Sequence, residues 1–314
     1  MTHTIGVDVG GTKIAAGVVD QDGRVVAKTK VTSPAKDPAA IETSIEKMVA
    51  ELREKHEVAA VGVSAAGFVD AARAKVYFAP NIAWRDVALK EDLEERVGLP
   101  VVVENDGNAA AWGEFTFGAA QELSDDLLLV TIGTGVGGGV VMDGQLYRGT
   151  FGIAGEVGHI RIEREGRLCG CGLHGCLEQY ASGSALVADT HDAVRRGAEG
   201  AGPLLEQAGG DVERITGPMI TLAAQAGDPF AQERLAVLGG WLGEGVATLV
   251  AVLDPGVVVI GGGVSEAGDL LLDPVRRSLE AHLTGAGHRP VPEVRAATLG
   301  NDAGMIGAAH LALP

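Results

Sequence analysis

An α/β protein made of two related halves is the architecture this sequence predicts, and three observations predict it. Strand-like apolar runs alternate with amphipathic helical segments along the first hundred residues, as in a sheet covered by helices. A strand, glycine turn, strand unit opens the chain over residues 5–20 and returns over residues 127–144. Low-complexity linkers are absent, so the halves are expected to be closely joined.

Taken in order, Ile5-Gly-Val-Asp-Val-Gly-Gly-Thr-Lys-Ile-Ala-Ala-Gly-Val-Val-Asp20 reads as a strand, a turn and a second strand. The Asp22-Gly23 pair turns the chain into a third strand over 24–31. Residues 39–57 have helical periodicity, 60–63 form a short buried strand leading to Ser64-Ala-Ala-Gly67, 89–97 an amphipathic helix, and 100–103 another strand. A helix is expected over 108–115. The pattern then restarts. Aligning Asp8 with Thr131 places Gly10 on Gly133 and Asp20 on Asp143, so each half is expected to offer a glycine hairpin to one cleft. Further on, residues 235–253 read as an apolar helix, either core or a subunit contact, with the core favoured. The strand in Leu253-Asp-Pro-Gly-Val-Val-Val-Ile-Gly-Gly-Gly263 ends in three glycines.

A formal charge of −17 repels phosphate backbones and anionic lipid, which argues against nucleic-acid and membrane partners. The longest apolar run, 246–264, is broken by Asp254-Pro255 and is no membrane span. Met1-Thr-His-Thr-Ile-Gly has neither a charged n-region nor a cleavable apolar stretch, so a cytoplasmic protein is expected. The 47 glycines against 3 Trp, 3 Tyr and 6 Phe point to many tight backbone turns.

All three cysteines fall in Cys169-x-Cys171-x4-Cys176. An odd, clustered set in an unexported chain argues against disulfides and for zinc. The fourth ligand is open on spacing alone: His174 lies inside the loop, and His159 lies in Gly155-Glu-Val-Gly-His159. Four protein ligands close the coordination sphere, so this zinc is structural.

The glycine motifs divide on context. Gly6-x4-Gly11 followed by Thr12-Lys13 reverses the order a Walker A loop needs, and a strand follows where a helix should. Gly133-Thr134-Gly135-Val-Gly-Gly138 matches a dinucleotide fingerprint but also runs into a strand. Hairpins of this kind can still hold phosphate on their backbone N–H groups. Asp8, beside Gly10-Gly11-Thr12-Lys13, suits a carboxylate that positions Mg²⁺. Gly261-Gly262-Gly263, at a strand's carboxyl end, could seat a nucleotide. In Glu104-Asn105-Asp106-Gly-Asn108, Asp106 meets a helix start and suits a proton acceptor, with a plain helix cap as the structural alternative. Glu156 and Glu178 flank the cysteine loop and could receive the hydroxyls of a polyol.

Together Asp8-Val-Gly-Gly-Thr-Lys13, Glu104-Asn-Asp-Gly-Asn-Ala109, Ile132-Gly-Thr-Gly-Val-Gly-Gly138, Glu156-Val-Gly-His159, Cys169-Gly-Cys-Gly-x2-Gly-Cys-Leu-Glu178 and Gly261-Gly-Gly263 make the chain resemble the ROK-family sugar kinases over essentially its whole length. Within that family the likeness is to the ATP-dependent glucokinases of actinobacteria. The resemblance implies a two-lobed actin-like, hexokinase-like ATPase fold with a duplicated ribonuclease H-like motif. Residues 1–110 plus 301–314 would form the small lobe, and 111–300 the large one. It implies transfer of the ATP γ-phosphoryl group to the 6-hydroxyl of glucose, with Mg²⁺. Asp106 would be the general base, Asn105 and Gly67 would lie on the sugar side, and Glu156, His159 and Glu178 would bind sugar hydroxyls. Zinc would sit on His159, Cys169, Cys171 and Cys176, leaving His174 outside. A homo-oligomer, dimer or tetramer, is expected. The rival expectations are fructose, N-acetylmannosamine or N-acetylglucosamine as substrate, polyphosphate as donor, and a sugar-responsive regulator.

Overall fold

A computed structural model of the protein describes residues 3–314. The chain forms two compact units. The first is Met1–Leu129, Gly138–Gly155 and Thr298–Pro314; the second is Val130–Gly137 and Glu156–Ala297.

Strands β1 (His3–Val9) and β2 (Lys13–Val19) make the expected hairpin, and β3 (Val25–Thr32) pairs antiparallel with β2. Helix α1 (Pro38–Arg53) starts where Asp37 accepts a hydrogen bond from the Ala40 amide, with Pro38 in the first turn. Ile41, Ile45, Met48, Val49 and Leu52 line its buried face, and each fully buried Ile there contributes about 1.5–3 kcal/mol. β4 (Val58–Ala65) runs parallel to β1. Three strands of two or three residues follow, β5 (Phe68–Val69), β6 (Val76–Phe78) and β7 (Arg85–Val87), paired in a separate small sheet. They are too short to show a period of two, so sequence reasoning missed them. α2 (Leu89–Val97) then leads to β8 (Val101–Asn105), parallel to β4.

Helix α3 (Asp106–Phe117) begins without a loop, two residues before its expected start. Next come β9 (Leu127–Ile132), β10 (Val136–Met142) and β11 (Gln145–Leu146); the boundary between the units runs through β9 and β10. The helices of the second unit are α4 (Glu178–Ala181), α5 (Gly183–Arg195), α6 (Gly202–Gln207), α7 (Gly217–Gln225) and α8 (Pro229–Leu253). β12 (Val257–Gly261), α9 (Asp269–His282), β13 (Glu293–Ala296) and α10 (Ala303–Leu311) complete the chain.

The duplication appears in the sheets. One has the order β3-β2-β1-β4-β8, the other β11-β10-β9-β12-β13. At matching places in the two orders, β2–β3 and β10–β11 are antiparallel, while β4–β8 and β12–β13 are parallel. This is the actin-like, hexokinase-like duplication expected. Among the described residues α8 alone is long and apolar enough to cross a bilayer, and 56% of its most apolar window is buried inside the protein, as befits a core helix.

Two contacts fix α3 in the first unit. Gly307 of α10 lies so close that a Cβ there would collide with the Ala109 carbonyl. Glu114 is fully buried, and its carboxylate accepts hydrogen bonds from the amides of Ala119, Thr298 and Leu299 and from the Thr298 hydroxyl. Thr298 is where the chain re-enters this unit.

Candidate active site and metal centre

In the first unit, the functional side chains sit at the carboxyl ends of β1, β4 and β8. Asp8 is the next-to-last residue of β1, and the Ser64 hydroxyl donates to its Oδ1 at 2.9 Å. Burial raises the Asp8 carboxyl above the ordinary carboxylate value; the Ser64 hydrogen bond and the positive charges of Lys13 and Lys28 act against this. The turn from Gly10 to Lys13 closes with the Gly10 amide donating to the Lys13 carbonyl at 3.0 Å. Gly10 and Gly11 are half-buried there, while Thr12 and Lys13 are exposed.

Asn105 ends β8 and caps α3, so the cap is Asn105 and Asp106 is the first helical residue. Its Oδ1 accepts from the Asn108 amide at 3.0 Å. Its Nδ2 donates to the Gly67 carbonyl and to Asp106 Oδ1, both at 3.1 Å. The Gly107 amide donates to the same Asp106 oxygen at 3.0 Å. Asp106, Asn105 and Gly67 are thus drawn together, and the Asp106 carboxylate is oriented by two donors.

The second unit holds the metal centre. Leu168 pairs with His174 and Arg161 with Cys176 in isolated antiparallel bridges, which fold 161–176 into a narrow ribbon. At its tip the Gly172 amide donates to the Cys169 carbonyl at 2.9 Å, turning Cys171 back toward Cys169. One ligand atom from each of His159, Cys169, Cys171 and Cys176 lies within 4.8 Å of the others. Cys169 Sγ is 3.6 Å from His159 Nδ1, and Cys171 Sγ is 3.6 Å from Cys176 Sγ. A zinc tetrahedron with Zn–S near 2.3 Å has edges of about 3.8 Å, so the donor set fits that ion. Burial pushes Cys176 up to about 12 and raises Cys169, while the Leu173 backbone amide lowers Cys171. Three adjacent thiolates need a cation to coexist. His174 turns away: its Nδ1 meets the Gly166 carbonyl at 2.9 Å. The structure therefore gathers His159, not His174, with the sulfurs.

The two acidic residues attach to this centre. His159 Nε2 lies 3.9 Å from Glu156 Oε2, on the ring edge away from the thiols. Loss of water raises the Glu156 carboxyl, which His159 opposes and Glu178 reinforces. Glu178 opens α4; its Oε2 accepts from the Val136 amide at 3.1 Å, and the Cys169 thiol approaches Oε1 at 3.7 Å. A Cβ on Gly135 would strike that carboxylate. Gly135 is bare, then, to admit Glu178, a reason the glycine motif alone did not disclose.

Gly133 and Thr134 form the β9–β10 turn with Gly135, and they also receive α5: the Gly183 amide donates to the Gly133 carbonyl at 2.8 Å and the Ser184 hydroxyl to the Thr134 carbonyl at 2.7 Å. Gly261 closes β12, Gly262 leads out of it beside Ile132, and Gly263 opens a single 3₁₀ turn.

Comparison with known proteins follows the same lines. The model of the ROK family matches residues 4–314. A glucokinase of Streptomyces coelicolor is 50% identical over 99% of this chain and 98% of its own length. A ROK family glucokinase from Streptomyces griseus, solved in complex with glucose and AMPPNP, is 51% identical, with a TM-score of 0.90 covering 99% of both chains. A ROK hexokinase from Thermus thermophilus is 35% identical, with a TM-score of 0.79 over 99% of this chain and 98% of the other.

Proposed function

Since this chain belongs to the ROK family, we propose that it is an ATP-dependent glucokinase, which moves the γ-phosphoryl group of ATP to the 6-hydroxyl of glucose and releases glucose 6-phosphate and ADP. The observation that carries this reading is its half-identity, end to end, with the Streptomyces glucokinases.

Asp106 is the general base in this reading. Asn105 and the Gly107 amide aim its carboxylate, which takes the proton of the 6-hydroxyl as that oxygen attacks phosphorus. A positioned base contributes about 10²–10⁴-fold, and alignment with charge neutralisation supplies the rest. Asp8 would hold Mg²⁺, which would supply neutralisation of the phosphate charge. Phosphate oxygens would be taken by amides of the two glycine turns: Gly11, Thr12 and Lys13 in the turn that the Gly10 amide closes, and Thr134 and Gly135 in the turn that the Gly133 amide closes. Gly261, Gly262 and Gly263 would serve the adenosine end. Gly67 and Asn105 face the sugar.

Glu156, His159 and Glu178 read the sugar hydroxyls. His159, Cys169, Cys171 and Cys176 hold Zn²⁺, which stiffens the loop and supplies no reactive water, because the four residues fill its coordination sphere. With Nδ1 on the thiol side, His159 keeps Nε2 for a hydroxyl. Three clustered cysteines that form no disulfide suit a reducing compartment, and we place the enzyme in the cytoplasm as a homo-oligomer.

A coupled ADP-release assay across glucose, fructose, N-acetylmannosamine and N-acetylglucosamine tests the substrate. Glucose is expected to lead in kcat/KM by at least about tenfold, because a hydroxyl-reading site penalises a changed 2-position. Faster turnover of an N-acetyl sugar would replace glucose as the substrate.

A further inference from the structure

Glu104, the residue before Asn105, has no part in the reading above, yet it is 1% exposed and lies behind the turn that bears Asp106. Arg148 Nε donates to its Oε2 at 2.7 Å. Its Oε1 accepts from the Asn105 amide at 3.2 Å and from Asn108 Nδ2 at 3.1 Å. Asn108 is fully buried in the first turn of α3, and its Oδ1 has no hydrogen-bond partner. Its contribution there is the one donor it gives Glu104. Arg148 is anchored in turn, its carbonyl accepting the Ala154 amide at 3.0 Å.

A buried ion pair seldom stabilises more than apolar residues of the same volume would. Stability therefore does not explain four polar side chains in this place, whereas geometry does. These hydrogen bonds of the Glu104 side chain end on Arg148 or on one of the two asparagines flanking Asp106-Gly107.

We infer that Glu104 and Arg148 are a positioning pair for phosphoryl transfer, setting the turn between β8 and α3 so that the Asp106 carboxylate meets the attacking hydroxyl. The inference rests on the reading of Asp106 as base. The pair acts through Asn105 and Asn108, not on the reactants themselves, so its loss lowers kcat and leaves the KM for ATP in place. A misplacement of about an ångström costs on the order of 10²-fold.

The test compares four purified proteins with glucose and MgATP: Glu104→Gln, Arg148→Met, the double variant, and Asp106→Asn. The double variant leaves no unpaired buried charge, so it stays folded even where a single variant does not. Its kcat is expected to fall about 10- to 100-fold with the KM for ATP within threefold. Where the single variants fold, the double is expected to be no worse than either, since the pair acts as one unit. A double variant with kcat within twofold of wild type, beside an inactive Asp106→Asn, overturns the positioning pair and spares the general base. An Asp106→Asn variant that keeps its turnover overturns both.

Discussion

At Asp8 the chain keeps a carboxyl group where water is scarce. Burial outweighs the Ser64 hydrogen bond and the charges of Lys13 and Lys28, so the native state holds this proton more tightly than the unfolded chain does. The penalty is absent below the ordinary value of 3.8 and grows as pH rises through the higher native value. Asp8→Asn removes it, and an asparagine oxygen can still accept from Ser64. This variant should melt above wild type at pH 7, with the gap narrowing as pH falls toward about 4. Its turnover with MgATP should drop by at least about tenfold, because the metal loses an anionic oxygen. Thermal melts at several pH values, with initial rates, check both halves; unchanged melting and full activity together would count against the role. A group retained against its own stability cost is a mark of function.

Among the elements, the ribbon that carries the cysteines and helix α3 make opposite demands. The ribbon buries little apolar surface, since Leu168 and Leu173 are exposed, so its shape is expected to depend on the metal. Stripping zinc with a chelator should weaken glucose binding by at least about 100-fold while nucleotide binding and far-UV dichroism persist, because the Gly10–Lys13 turn belongs to the first unit and closes on its own hydrogen bond. Calorimetry on zinc-free protein decides it; unaltered glucose affinity would show that the loop needs no staple. Helix α3, by contrast, is held by Glu114. Glu114→Gln turns one accepting oxygen into an amide that faces N–H donors, at a cost of about 2–3 kcal/mol. That should lower the melting temperature of the first unit by several degrees, measured by calorimetry without ligands.

For the molecule as a whole, what was legible in the sequence followed its local signals. The duplicated hairpin showed in the spacing of Asp8-x-Gly10 and Thr131-x-Gly133, and the metal centre in three crowded cysteines. Both rejected nucleotide motifs do run into strands, β2 and β10. Long-range pairing left no such trace. His159 joins thiols ten residues or more away, and Arg148 meets Glu104 across 44 residues. The strands β5, β6 and β7 are too short to carry a period, and the helices from α4 to α7 were not read at all. The rival reading of Asp106 as a plain helix cap passes to its neighbour: both are good capping types, and the cap is Asn105.

Everything converges on one carboxylate at the head of one helix. The direct measurement is the turnover of Asp106→Asn with saturating glucose and MgATP, alongside its melting curve. The account predicts an unchanged melting temperature and a kcat lower by at least about 100-fold. A folded variant whose kcat stays within tenfold of wild type would contradict it.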